Sequence, residues 1–427
     1  MPGNHCEDLP IAIGKEAPRT LPYPRDFPYP FRAMLSICSD LDETPDETAY
    51  LETIRFLNGV KTTSMGPGLG LEVGNTMYFD MPKDHFSYWN TSEQGRATVR
   101  LLMRSGHIDC LHSFGDLATS RAHAEKVLGE LERHGCRLKV WVDHGIARSN
   151  FGSDIMRGTG DVPGSASYHA DLTFAYGVRY AWMGRVTSVV GQDVSRRWKH
   201  IFDPAHPLAS GKTLVKEGVK DLLAETVGGR YAMHAGNCLL REVTLRDGRR
   251  ALEFIRCNPH FGGVSSCDTA EGFGGVLTPN VLDLLEERGG VCVLYTHLGK
   301  VRDRERPLRR ETAVALRNLA ERVQEGRILL TTTRRLLEYA NTRRTHRFHV
   351  KREGDWSLVF IEGPKGGESA GMETGAPDGL TFYSEDPEKT RLFFNGLEVP
   401  SIHRNPPDWR GNRSVSVPWN PLRMPAI

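Results

Sequence analysis

Two aspartates, Asp40 and Asp42, close the stretch Phe31–Thr44, which reads FRAMLSICSDLDET. Met34, Ser36, Cys38, Asp40 and Asp42 alternate there with Leu35, Ile37, Ser39 and Leu41, the period-two pattern of a strand. Both carboxylates therefore fall on one face at the strand's carboxyl end. Placed together they repel, and they are costly to desolvate unless a cation or a shared proton compensates them. The chemistry this suggests is a metal beside a base: one carboxylate holds a metal while the other accepts a proton. The competing reading is structural, with Asp42 or Thr44 capping the helix that follows.

Other reactive side chains stand where apolar runs end. His112 follows Ile108–Leu111, Asp143 and His144 follow Leu138–Val142, and His297 follows the run VCVLYT. In parallel α/β folds, side chains at the carboxyl ends of strands converge on one face. Asp116 stands where it would cap a helix over Leu117–Leu128. His169 and His260 lie in the loops YHAD and NPHFGG, and with Arg179 and Arg185 they are weaker candidates for substrate contact. Lone loop histidines are usually solvated, and such arginines more often pair with local acids.

The elements that must position these groups alternate. Helical spacing in Tyr50–Leu57, Arg96–Arg104 and Ala124–Leu131 separates the strands named above, the rhythm of a parallel α/β domain. A strand at Val178–Met183, an insertion over Ser188–Leu208 and a hairpin around Asp247-Gly248 come next. Helices around Val281–Glu287 and Thr312–Val323, a strand at Arg327–Thr331 and a helix through Tyr339 complete this part. Residues 1–30 are proline-rich and aperiodic, an extended arm. From 346 to 427, strand-like runs with no helix between them predict a small antiparallel β-module. Its aromatics, Trp356, Phe360, Phe382, Tyr383, Phe393 and Phe394, form its core or a sugar-stacking face.

A chain of 427 residues with a net charge of +2 has no polyanion-binding bias, and nucleic acid is not expected as a partner. The eight cysteines are scattered with no CxxC pair, which argues against a disulfide framework and a thiolate zinc site. The first thirty residues lack a basic region followed by an apolar one, and no apolar run approaches the ~20 residues that span a bilayer. A cytoplasmic location is expected.

These residues resemble the polysaccharide deacetylase superfamily, the NodB-type carbohydrate esterases. Asp40-Leu41-Asp42 is similar to that family's strand-end aspartate pair, in its Asp-x-Asp variant. His112-Ser113-Phe114-Gly115-Asp116 resembles its His-Ser/Thr-x-x-His motif, with aspartate in the place of the second histidine. Val293–His297 resembles the strand ending Leu-x-His, with one extra residue, and Gly326–Thr331 followed by Arg335–Tyr339 resembles the strand and helix that end the barrel. Gly177–Tyr180 is similar to a mid-barrel strand. The Arg-x-Pro-Tyr motif is absent, and Val142–Gly145 stands at the corresponding strand end.

The resemblance implies a distorted (β/α) barrel over residues 31–342. It further implies Asp40 as base, His297 as acid, and a metal on Asp42, His112 and Asp116. Asp143 or His144 is the alternative third ligand or a supporting group. Such a nitrogen and oxygen set suits Zn²⁺, with Mn²⁺, Co²⁺ or Fe²⁺ also accommodated. The implied substrate is an N-acetylated sugar or glycan precursor. The alternatives are another metal-dependent hydrolase cutting a C–N or glycosidic bond, and a non-catalytic carbohydrate-binding protein.

Overall fold

The computed structural model describes residues 22–427 apart from Asp42, Ile146, 196–206, 227–236, 260–268, Arg302, Glu305 and 365–375. The chain runs β1 (Ala33–Ser39), α1 (Glu47–Asn58), β2 (Gly74–Met77), α2 (Glu93–Ser105), β3 (Ile108–His112), α3 (Arg121–Arg133), β4 (Val140–Val142), α4 (Ala170–Tyr176), β5 (Tyr180–Trp182) and β6 (Val186–Thr187). It continues through α5 (Pro207–Thr226), β7 (Leu240–Thr244), β8 (Arg250–Phe254), β9 (Arg256–Cys257), α6 (Pro279–Arg288), β10 (Val291–Thr296), α7 (Arg310–Gln324), β11 (Ile328–Leu330) and α8 (Thr333–Thr345). The strands form one sheet in the order β7-β8-β5-β4-β3-β2-β1-β10-β9-β6, with β11 beside the first half of β1. All pairs are parallel except the β7–β8 hairpin, which is the one expected around Asp247-Gly248.

The sheet curls until its two ends run side by side. Residues 180–187 lie along 250–257: Leu252 N donates to Arg179 O (3.2 Å), Arg256 N to Arg185 O (3.0 Å) and Asn258 N to Thr187 O (2.9 Å). Cys257 in turn pairs with Leu294 of β10. The architecture is mixed α/β and consistent with a distorted barrel.

Strand alternation decides what faces inward. Met34 and Cys38 of β1 share a buried cluster with Cys110, Val140, Val142, Trp182, Phe254 and Val293. The opposite parity, Leu35 and Ile37, packs with Cys292, Leu294 and Leu330 against Leu282 and Leu285 of α6 and Leu316 and Leu319 of α7. Both faces of β1 are thus covered, as a parallel strand requires. The cap of α1 is Asp46, whose side chain accepts from Ala49 N (2.9 Å). Neither candidate suggested by sequence takes that role: Thr44 lies before the cap, and Asp42 is outside the described residues.

After α8 come β12 (Arg347–Glu353), β13 (Trp356–Glu362), β14 (Thr381–Tyr383), β15 (Thr390–Phe394), β16 (Leu397–Glu398), β17 (His403–Asn405) and β18 (Ser414–Ser416). They make two four-stranded sheets, β12-β13-β15-β16 and a second in which Tyr23–Pro24 joins β14-β18-β17. One pair, β13 with β15, is parallel rather than antiparallel. The chain leaves β13 for β14 in the other sheet and returns in its first direction, a crossover that only a parallel partner accommodates. Phe382, Tyr383 and Phe394 are core. Phe360 and Phe393 stand with His349 on the outer face, stacked at 4.9 Å with interplanar angles of 9° and 20°. Phe360 lies between the other two rings, so both of its faces are covered. Among the described residues no helix is long and apolar enough to cross a membrane.

Candidate active site

The inward parity of β1 continues past the strand to Asp40, which is 2% exposed. Its carboxylate accepts two bonds from one guanidinium: Arg256 Nη1 to Oδ2 at 2.9 Å and Nη2 to Oδ1 at 3.1 Å. Arg256 is wholly buried in β9, where an unpaired cation is prohibitively costly. Two rings share the burden. The guanidinium carbon lies 4.3 Å from the Trp182 ring centroid and 4.9 Å from that of Tyr295. The centroids of those rings are themselves 6.2 Å apart, so one guanidinium lies against both. Burial disfavours the Asp40 carboxylate, but Arg256, helped by His112 and His297, outweighs it and holds the carboxyl below its usual range. Asp40 is therefore ionised at neutral pH.

A second cluster adjoins it. His112, the last residue of β3, is buried, with Nδ1 3.0 Å from Thr76 Oγ1 and 3.7 Å from Asp40 Oδ1. Its Nε2 lies 3.3 Å from Tyr78 OH, and its ring stacks on Tyr78 at 4.2 Å. Ser113, Phe114 and Gly115 then all adopt positive φ, at 46°, 63° and 108°. Two consecutive non-glycine residues in that region are uncommon and mark a backbone held by its surroundings. At Gly115 a side chain has no room, because its Cβ would lie 2.3 Å from Asp80 O.

This turn delivers Asp116 to His144, with Oδ1 2.7 Å from Nδ1. The His144 ring meets His112 edge-on, 5.0 Å between centroids and 80° between planes. A carboxylate on one imidazole nitrogen fixes the tautomer and orients the other nitrogen toward a ligand. Asp116 is not a helix cap, since α3 begins at Arg121 behind Ser120. His297 follows β10, with Nε2 3.0 Å from Tyr295 OH, and Leu298 N donates to Ser39 Oγ at 3.1 Å. Tyr295 thus touches both Arg256 and His297.

The structure brings Asp40, His112, Asp116, His144 and His297 to the carboxyl end of the sheet, and it places the other candidates elsewhere. Asp143 is buried; its carboxylate accepts from Trp141 Nε1 (2.7 Å), Phe151 N (2.9 Å) and Gly152 N (2.7 Å), and so anchors a loop. Burial pushes it up to about 7 in spite of these three donors. His169 sits in the core between Thr173 Oγ1 and Ser149 O, both at 2.8 Å, and burial pushes it down to about 4. Arg179 precedes β5 at the amino end of the strands, where its N–H bonds Lys139 O. Arg185 is buried beside Glu253 at 4.0 Å. Asp42 and His260 lie outside the described residues.

Sequence reasoning missed Arg256, Trp182, Thr76 and Tyr78. One signal was available: an arginine inside the apolar run ALEFIRC, which a strand can bury only with a counter-charge.

Among the described residues, no three His, Cys, Asp or Glu side chains form a ready metal cluster. The pair that is present, His112 and His144 with a carboxylate behind the second ring, has the donor chemistry of a site for a borderline divalent cation. Compared with known proteins, the chain matches no family model, no curated protein and no solved structure.

Proposed function

We propose that the chain is a metal-dependent hydrolase that removes an N-acetyl group from a sugar or glycan precursor, in the manner of the polysaccharide deacetylases it resembles. The observation that carries this reading is the meeting of an ionised Asp40 with His112, His144 and His297 at the carboxyl end of one parallel sheet. His112 and His144 would hold the metal, with Asp42 as the ligand the resemblance implies. A divalent cation there supplies polarisation of the N-acetyl carbonyl and acidification of water.

The chain's own groups do the rest. Arg256 keeps Asp40 ionised, so the carboxylate takes the proton of the attacking water. Tyr295 bonds His297 Nε2 and steadies the ring that delivers a proton to the departing amine nitrogen. The amide C–N bond breaks as the new C–O bond forms, and acetate and a free amine leave. Asp116 orients His144 and touches no reacting atom.

The test is acetate release from N-acetylated mono- and oligosaccharides by the zinc-loaded protein. Release that falls by two or more orders of magnitude in Asp40→Asn supports the assignment. Release unchanged in that variant removes Asp40 from the mechanism.

A further inference from the structure

A cavity of about 420 Å³ opens beside this site, lined by Thr119, Arg148, Arg157, Gly158, Thr159, Ala166 and Ser167. Two arginines and three hydroxyl-bearing residues line it, and no acidic residue does. Its position follows from the chain. Thr119 is three residues beyond Asp116 and Arg148 four beyond His144, so their Cα atoms lie within about 11 Å and 14 Å of the Asp116–His144 pair at full extension.

The walls are built rather than loose. Arg246 ties the loop from one side, bonding Phe151 O at 3.2 Å and Gly158 O at 2.8 Å and pairing with Asp161. Gly158 N bonds Gly152 O (3.0 Å), Gly160 N bonds Asn150 O (2.9 Å) and Thr159 N bonds Arg148 O (2.9 Å). Thr159 Oγ1 and Ser167 Oγ are 2.6 Å apart, and Ser167 Oγ donates to Arg148 O at 3.0 Å. The two cations are left without counter-charge: among the described residues neither Arg148 nor Arg157 pairs with a carboxylate, and Arg157 donates only Nε, to Asp154 O at 2.9 Å. A loop held in this way presents two exposed arginines, neither paired with a carboxylate, to an oxyanion.

We infer that this cavity binds an anionic substituent of the substrate, a phosphate, sulfate or carboxylate carried on the sugar whose N-acetyl group is cleaved. Arg148 and Arg157 hold the oxyanion. The inference rests on the deacetylase reading for the neighbouring site but is tested separately from it.

Calorimetric titrations compare N-acetylglucosamine, N-acetylglucosamine 1-phosphate, glucuronic acid and inorganic phosphate, each on wild type and on the exposed-surface double variant Arg148→Gln/Arg157→Gln. The expected result is at least tenfold tighter binding of the phosphorylated sugar than the neutral one, with the difference erased in the double variant. Inorganic phosphate competes in wild type, and glucuronic acid distinguishes a carboxylate-reading site from a phosphate-reading one. Equal binding of charged and neutral sugars, no binding of either, or a preference that survives in the double variant overturns the inference. Acetate is measured in the same mixtures. Release without charge preference leaves the deacetylase standing and the anion site refuted, whereas Arg-dependent binding without release does the reverse.

Discussion

The two ends of the sheet carry the same parts and use them differently. At the amino end Glu72 pairs with Arg335 at 2.8 Å, and that guanidinium stacks on Trp419 at 4.1 Å. At the carboxyl end Asp40 pairs with Arg256, which stacks on Trp182 and Tyr295. Around Glu72 the remaining bonds come from fixed groups, Thr331 Oγ1 at 2.8 Å and Leu422 N at 2.7 Å, while Arg335 also bonds Asn420 O at 2.7 Å. That pair is a clasp, closing the C-terminal tail onto the sheet. Around Asp40 stand imidazoles, a strained turn and a hydroxyl-bearing ring. A buried ion pair alone therefore says little about function; what separates the two is whether its neighbours can exchange protons.

The largest effect expected from this contrast is on catalysis. Under the proposed function, Asp40→Asn lowers acetate release by about 10²–10⁴-fold, while Glu72→Gln leaves release by the folded protein unchanged. A comparable loss in Glu72→Gln would erase the distinction. In stability the two pairs also differ. Arg256→Met strands a buried carboxylate at a cost of about 3–5 kcal/mol, read as a shift in denaturant midpoint, whereas Glu72→Gln costs less because Arg335 keeps Asp378 and Asn420 O.

Acid separates other buried groups from both pairs. Folded His169 stays neutral down to about 4, whereas the unfolded chain takes up that proton near 6.5. The His169 contribution to stability therefore falls between pH 6.5 and 4, by on the order of 3 kcal/mol. His107, also pushed down to about 4 by burial, acts in the same direction. Asp40 behaves differently: its contribution is present above the unfolded carboxyl range and is lost only as pH falls through its lowered folded value. Buried Asp143 and Asp109, pushed up to about 7 and about 6, act in the opposite direction, so denaturant midpoints at pH 7 and pH 4.5 are compared between wild type and His169→Gln; the same pH dependence in both would contradict the burial of His169. The smallest effect belongs to Asp116→Asn, which weakens metal affinity about 10–100-fold without abolishing it, as loss of an orienting partner does.

How much was legible in the sequence follows the range of each interaction. The parity of β1 placed Asp40 inward because strand alternation is local, and the strand-end positions of His112, His144 and His297 followed from the same rule. The partner of Asp40 lies 216 residues away, and no local pattern announces that β9 is folded back to complete the curl. The cap of α1 was misplaced because Asp42, Thr44 and Asp46 offer three capping side chains within five residues, and only the backbone geometry chooses among them. The helix Pro207–Thr226 was not anticipated; Leu208, Val215, Val219 and Leu222 on it are exposed, so its periodicity does not report a buried face. Asp116 stood open between ligand and cap, and the turn through Ser113–Gly115 gives it a third position, against His144.

Metal content tests the account most directly. Protein purified without chelator is measured for divalent metal by mass spectrometry, beside a His112→Ala/His144→Ala variant whose fold is checked by circular dichroism. About one metal ion per wild-type chain, lost in the folded double variant, is the predicted result. Wild type that carries none and takes none up on reconstitution, or a double variant that keeps its metal, contradicts the assignment of this site.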